Sequence, residues 1–200
     1  MTTYNFGSGP VPAHQHPNGG GWVADTATVD PTAYVGPVAL VFGEARISGK
    51  AQVSENAQIF GHAHISKNAQ ISGHSSVCDQ AEVTGNATIG GNATIAGTAW
   101  IAGNAYVSER AQVYGEAQIF GKTRVTGHAV VCEQAQVSGE ARVFGRASVC
   151  GKSEVSGTAQ VFGNAQICGE VRVSEEAQVF GRMRLSNNEV ITGNVAMFEL

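Results

Sequence analysis

The sequence predicts an all-β protein, a triangular parallel β-helix with three hexads (18 residues) per coil, roughly 9 to 10 coils and a short N-terminal cap. Three observations lead to this prediction. Residues 27–200 divide into 29 consecutive six-residue units without a break, and outward-facing residues recur every 18 positions. The composition, with 26 Gly, 7% aromatic and 14% charged residues, cannot fill an ordinary core with large side chains.

Each six-residue unit, or hexad, predicts a short strand followed by a corner. Its third residue is Val or Ile in 27 of the 29 hexads, the exceptions being Leu185 and Met197, and its first is Ala in 22. Positions one and three share a face at period two, which is typical of a strand. The fifth position is Gly in 19 hexads, and Gly tolerates the positive φ of a tight turn. A helix is excluded because glycine every six residues would destabilise it.

The number of sides follows from the outward fourth position. We define the Phe column as Phe144, Phe162, Phe180 and Phe198, which lie 18 apart, and the Cys column as Cys78, Cys132, Cys150 and Cys168, which lie 18 or 54 apart. Phe42 and Phe60 begin the latter column. Eighteen residues are three hexads, so each coil has three sides and the prism is about 46 Å long at the usual strand spacing.

The sequence resembles the hexapeptide-repeat superfamily, whose motif is an aliphatic residue followed four positions later by a small one. Val53 with Ala57 and Ile59 with Ala63 show this motif, and so does Ile65 with Ala69. The resemblance covers 174 of the 200 residues and implies a left-handed coil, an exception to the usual right-handed crossover. It does not imply one function, because the superfamily contains acyltransferases, carbonic anhydrases and non-enzymatic scaffolds.

Residues 1–26 form the predicted cap, and residues 27–200 form the β-helix. Trp22 and Val23 are expected to plug the first coil, since a solenoid must cover the end of its core. The segment HQHPNGGGWV is similar to the start of uncharacterised phage and prophage hexapeptide-repeat proteins. At the other end the first-position alanine gives way to Met183, Glu189 and Val195. This end either closes the prism itself or pairs with another subunit.

The N-terminal region lacks the basic start and apolar segment of a signal peptide, and no stretch is long and apolar enough for a membrane span. A cytoplasmic location is therefore expected, which is the host cytoplasm if a phage encodes the protein. The four cysteines are accordingly expected to be free thiols. The net charge of -4 disfavours nucleic-acid binding, so no nucleic-acid or membrane partner is predicted.

No catalytic residue, metal site or cofactor is predicted. Acyltransferases of the superfamily use a histidine base beside a loop extruded between coils, and no hexad here is interrupted. His62, His74 and His128 occupy corners, where a solvated turn residue is more usual than a base. His62 and His64 could pair weakly at a metal, and His14 and His16 form an HxH in the cap, where a structural role is favoured.

The Phe column is the predicted interface of a homo-oligomer, with a trimer favoured, because a contiguous apolar stripe usually marks a contact. Stacking that stabilises neighbouring coils is the alternative explanation for it. Three functions remain open: a non-enzymatic scaffold or assembly protein, a phage-encoded protein that sequesters a small metabolite or signalling nucleotide between subunits, and a degenerate acyltransferase. The expected ligand-binding residues for the second are Arg124, Arg142, Phe144 and Phe162.

Overall fold

The computed structural model describes residues 2–199 and confirms the predicted fold class. These residues form 32 strands and no helix, wound into a parallel β-solenoid of about ten coils with 18 residues per coil. The strands build three sheets that form the sides of a triangular prism. No helix that could cross a membrane is present in residues 2–199.

The three sheets are numbered in the order in which the chain first enters them. Sheet 1 consists of β1 Thr3–Asn5, β2 Pro10–Gln15, β3 Trp22–Ala24, β6 Leu40–Val41, β9 Gln58–Ile59, β12 Ser76–Val77, β15 Thr94–Ile95, β18 Gln112–Val113, β21 Val130–Val131, β24 Ser148–Val149, β27 Gln166–Ile167 and β30 Arg184–Leu185. Sheet 2 consists of β4 Thr28–Val29, β7 Arg46–Ile47, β10 His64–Ile65, β13 Glu82–Val83, β16 Trp100–Ile101, β19 Gln118–Ile119, β22 Gln136–Val137, β25 Glu154–Val155, β28 Arg172–Val173 and β31 Val190–Ile191. Sheet 3 consists of β5 Tyr34–Val35, β8 Gln52–Val53, β11 Gln70–Ile71, β14 Thr88–Ile89, β17 Tyr106–Val107, β20 Arg124–Val125, β23 Arg142–Val143, β26 Gln160–Val161, β29 Gln178–Gly181 and β32 Ala196–Glu199.

The core consists of the first and third residues of the hexads, as the alternation predicts. Across the middle of the solenoid these Ala, Val and Ile side chains are fully buried. Because each strand pairs in parallel with the strand 18 residues away, as Val125 does with Val143, the same hexad position stacks on itself from coil to coil. The outward positions therefore form straight columns on three rigid faces.

The corners explain why the fifth position is not always glycine. Nineteen hexads have Gly there, and six others have non-glycine residues in the same left-handed conformation. Acidic side chains at these corners accept a hydrogen bond from the next coil: Glu55 from the backbone N–H of Gly73 at 2.7 Å, and Glu133 from that of Gly151 at 2.9 Å. These hydrogen bonds to charged acceptors offset part of the free-energy cost of a positive φ at a residue other than glycine.

The N-terminal segment forms a hairpin on the edge of sheet 1. β1 and β2 pair antiparallel, β2 pairs antiparallel with β3, and β3 already pairs in parallel with β6. Val23 is fully buried in the core, but Trp22 is not part of the plug, because neighbouring residues of a strand point to opposite faces. The Trp22 ring stacks outside the prism on Tyr4, with 4.6 Å between ring centroids.

The last coil is less well covered than the others. Met183, Ile191 and Met197 pack against the core but are only partly buried, whereas Val190 and Phe198 are 63% and 58% exposed. The two expectations for this end, closure and pairing with another subunit, stay predictions.

One side chain at the first hexad position, that of Thr123, has a buried hydroxyl without a hydrogen-bond partner among residues 2–199. Thr123 is completely buried. The buried Ser75 hydroxyl, by contrast, donates to the carbonyl oxygen of Ser72 at 2.7 Å. A buried hydroxyl without a partner carries the full cost of its desolvation.

We expect Thr123→Val to raise the free energy of unfolding by about 1 kcal/mol, because it keeps the shape of the side chain and removes the unpaired hydroxyl. Chemical denaturation followed by circular dichroism measures this change. Ser75→Ala is the matched control and should lower stability by a similar amount, since it removes a satisfied hydrogen bond. Destabilisation by Thr123→Val would contradict the prediction.

Candidate functional site

The Phe column forms a continuous stack on sheet 3. Phe144, Phe162 and Phe180 follow or belong to the parallel strands β23, β26 and β29, so one ring repeats in each coil. Ring centroids along the column are 4.8, 4.9 and 5.2 Å apart, with interplanar angles of 2°, 4° and 13°. Stacking face to face shields the flat sides of the rings and leaves an apolar stripe about 15 Å long on this face.

Arg124 and Arg142 lie directly opposite each other on the neighbouring strands β20 and β23. We call them the arginine pair. Both side chains are exposed, and the Arg124 guanidinium carbon lies 5.7 Å from the centroid of the Tyr106 ring. At this distance a cation is attracted to the ring face.

The arginine pair borders a surface groove of about 440 Å³ at the N-terminal end of the Phe column, beside Phe144. The groove lies where the side chains at the outward fourth position become larger along the column, from Ser108 and Thr126 to Phe144. Its lining residues are Tyr106, Ser108, Glu109, Arg124, Thr126, Arg142 and Phe144.

The structure thus brings together three of the four expected ligand-binding residues. Arg124, Arg142 and Phe144 line one groove, whereas Phe162 lies one coil further along and does not line it. Tyr106 also lines the groove and was not among the expected residues. Its position was a usable signal, since it stands 18 residues before Arg124 in the same column.

The histidines lie apart from this groove. In the cap, His14 Nδ1 is 2.9 Å from Asp25 Oδ1, and the buried His16 has its Nδ1 3.2 Å from the carbonyl oxygen of Asn18. His62 Nδ1 lies 3.5 Å from Glu44 Oε2. Within residues 2–199 no three His, Cys, Asp or Glu side chains are placed to hold a metal ion together.

The Cys column differs from the sequence-based expectation. Cys132 and Cys150 form a disulfide, so the prediction that all four cysteines are free thiols is wrong. The reason is the register of the solenoid, which places these two residues on adjacent coils with Cα atoms 4.8 Å apart, within reach of a disulfide. Cys78 and Cys168 are free, and burial raises the pKa of both thiols, with further contributions from Asp79 and Glu133 respectively.

Charge is distributed unevenly over the three sides. The hexads that begin with strands of sheet 3 carry five arginines and three glutamates, whereas those of sheet 1 carry five acidic residues and two basic ones. The sheet 3 residues are Arg110, Arg124, Arg142, Arg146, Arg182, Glu55, Glu109 and Glu199, and the sheet 1 residues are Glu44, Asp79, Glu116, Glu133, Glu170, Lys152 and Arg184. The side with the Phe column is therefore net positive in a chain of net charge -4.

The sequence matches no protein-family model, and no curated protein shows significant similarity to it. The described residues are those of a parallel β-solenoid with 18 residues per coil, which is consistent with a hexapeptide-repeat β-helix.

Proposed function

We propose that this protein is a non-enzymatic scaffold that self-associates through the Phe column, with a homotrimer as its assembled form. The observation that carries the proposal is the near-parallel stack of Phe144, Phe162, Phe180 and Phe198 on one flat face. A contiguous apolar stripe on a surface that is otherwise polar favours a protein contact.

A stripe of four rings is too small to hold an oligomer together by itself. Stable interfaces bury about 800 Å² on each partner, so the flanking columns of sheet 3 must take part as well. The positive charge of this side supports contact with the acidic sheet 1 side of a second copy. Such a contact joins two different faces, and contacts of this kind form a closed ring when the rotation between copies closes and an open filament when it does not.

The alternatives have weaker support. The groove beside the arginine pair favours a sequestering protein as the second candidate, and its chemistry is developed below. For a degenerate acyltransferase, the uninterrupted hexads are adverse. The phage origin rests on the similarity of the N-terminal segment alone, and a cytoplasmic location stays a proposal that the Cys132–Cys150 disulfide does not favour, since such bonds are rare there.

We expect the double variant Phe162→Gln, Phe180→Gln to be monomeric under conditions in which the unmodified protein is trimeric. Glutamine is already common at the other outward position of this repeat, the second, so the variant should keep its β-sheet circular dichroism. Light scattering coupled to gel filtration measures the mass.

The matched control is Trp100→Gln, Phe120→Gln, which removes an aromatic pair from sheet 2, outside the proposed contact, with ring centroids 6.0 Å apart. This variant should remain trimeric. A trimer that persists without Phe162 and Phe180, while the fold is intact, would show that the column only stabilises neighbouring coils.

A further inference from the structure

The arginine pair places two like charges on adjacent coils, whereas the other charged pairs at this spacing have opposite charges. Three of the four ion pairs in residues 2–199 join side chains 18 positions apart on adjacent coils: Glu44 with His62 at 3.5 Å, Lys122 with Glu140 at 3.0 Å, and Glu154 with Arg172 at 3.4 Å. Arg124 and Arg142 are the one pair of like formal charges at this spacing in the repeat. Like charges directly opposite each other on neighbouring strands destabilise a sheet.

Neither arginine forms an ion pair with another residue of the range 2–199. No carboxylate oxygen in residues 2–199 lies within ion-pair distance of either guanidinium. Glu109 lines the same groove, but it makes no ion pair with them. Two arginines in register on neighbouring strands supply several N–H donors that suit the oxygens of a phosphate.

The ring of Phe144 supplies the second half of the site. Phe144 stacks on Phe162 with one face, but its opposite face points toward the coil of Thr126, whose small side chain cannot cover a ring. Phe144 lines the groove that the arginine pair borders. A planar ring inserted there would continue the Phe column by one more layer at the spacing of about 4.8 Å that the coils impose.

We propose that this groove binds an organic phosphate with a planar heterocyclic ring, of the nucleoside monophosphate class. The phosphate lies on Arg124 and Arg142, and the ring stacks on Phe144. The volume of about 440 Å³ falls within the range of small-molecule sites. All the lining residues belong to one chain, so a monomer is sufficient for binding, and the ligand competes with a second copy of the chain for the sheet 3 face.

Isothermal titration calorimetry with adenosine 5′-monophosphate, adenosine and inorganic phosphate tests the proposal. We expect the monophosphate to bind at least about tenfold more tightly than either fragment, because only it uses both halves of the site. Arg124→Gln, Arg142→Gln should weaken it by about tenfold or more, and Phe144→Leu should weaken the monophosphate without affecting inorganic phosphate. Glu109→Gln should strengthen binding, since it removes a negative charge from the groove.

Arg172→Gln is the matched control, because Arg172 is an exposed sheet 2 arginine that already pairs with Glu154, and it should leave binding unchanged. The double variant Phe162→Gln, Phe180→Gln should also still bind, so a failure of self-association and a failure of this site are distinguishable. The proposal is overturned if millimolar monophosphate does not bind, if inorganic phosphate binds equally well, or if Arg172→Gln weakens binding as much as loss of the arginine pair.

Discussion

We expect Gly91→Ala to lower the free energy of unfolding by about 2–4 kcal/mol. Gly91 has a φ of +64°, and a Cβ atom built on it would lie 2.6 Å from the backbone nitrogen of Glu109 on the next coil. That atom belongs to the backbone ladder and cannot rotate away. The substitution therefore combines an unfavourable φ with a clash that forces two coils apart, and guanidinium denaturation measures the effect.

The neighbouring glycine provides the control. A Cβ atom on Gly90 would meet nothing closer than the Ser72 hydroxyl at 3.5 Å, and its φ is not positive. Gly90→Ala should therefore change stability by no more than about 0.5–1 kcal/mol, and stabilisation is the expected sign because the unfolded chain loses freedom. Equal losses in the two variants would contradict the corner geometry.

The second large effect is expected from the disulfide between Cys132 and Cys150. It closes a loop of 18 residues, for which the chain-entropy model gives a stabilisation of about 3 kcal/mol. We expect the double variant Cys132→Ser, Cys168→Ser to be less stable than Cys168→Ser by this amount under non-reducing conditions. Cys168 is replaced in both proteins because it follows Cys150 by one coil and could pair with it when Cys132 is absent.

Adding reductant provides an internal control for this comparison, since it should remove the difference between the two variants. Titration with a thiol reagent should count two free thiols in the unfolded, unreduced protein, those of Cys78 and Cys168. Four free thiols, together with equal stability of the two variants, would show that the disulfide does not form.

Most of the fold was predictable because nearly every hexad repeats the same pattern of small, β-branched and turn-forming residues. The alternation of small and β-branched residues determines which side chains point inward, and the 18-residue recurrence of Phe144, Phe162 and Phe180 determines the number of sides. The direction in which the coil winds does not follow from period alone, and for it the family resemblance was needed. Trp22 was wrongly assigned to the plug because of its size. The alternation of side chains along β3 places it on the outer face, opposite to Val23.

The candidate site was only partly predictable. Arg124, Arg142 and Phe144 were identified because they stand in adjacent columns of one face, yet the groove depends on the step in size from Thr126 to Phe144, which becomes visible only when the columns are stacked. The disulfide was missed for a similar reason. The expected cytoplasmic location suggested reduced thiols, whereas the register places Cys132 beside Cys150.

The most direct test of the proposed self-association is a native mass spectrum of the unmodified protein at micromolar concentration. Three chains of 20.7 kDa should give a species of about 62 kDa, which would support a scaffold assembled through the sheet 3 face. A spectrum with only the 20.7 kDa monomer throughout the micromolar range would contradict self-association through the Phe column.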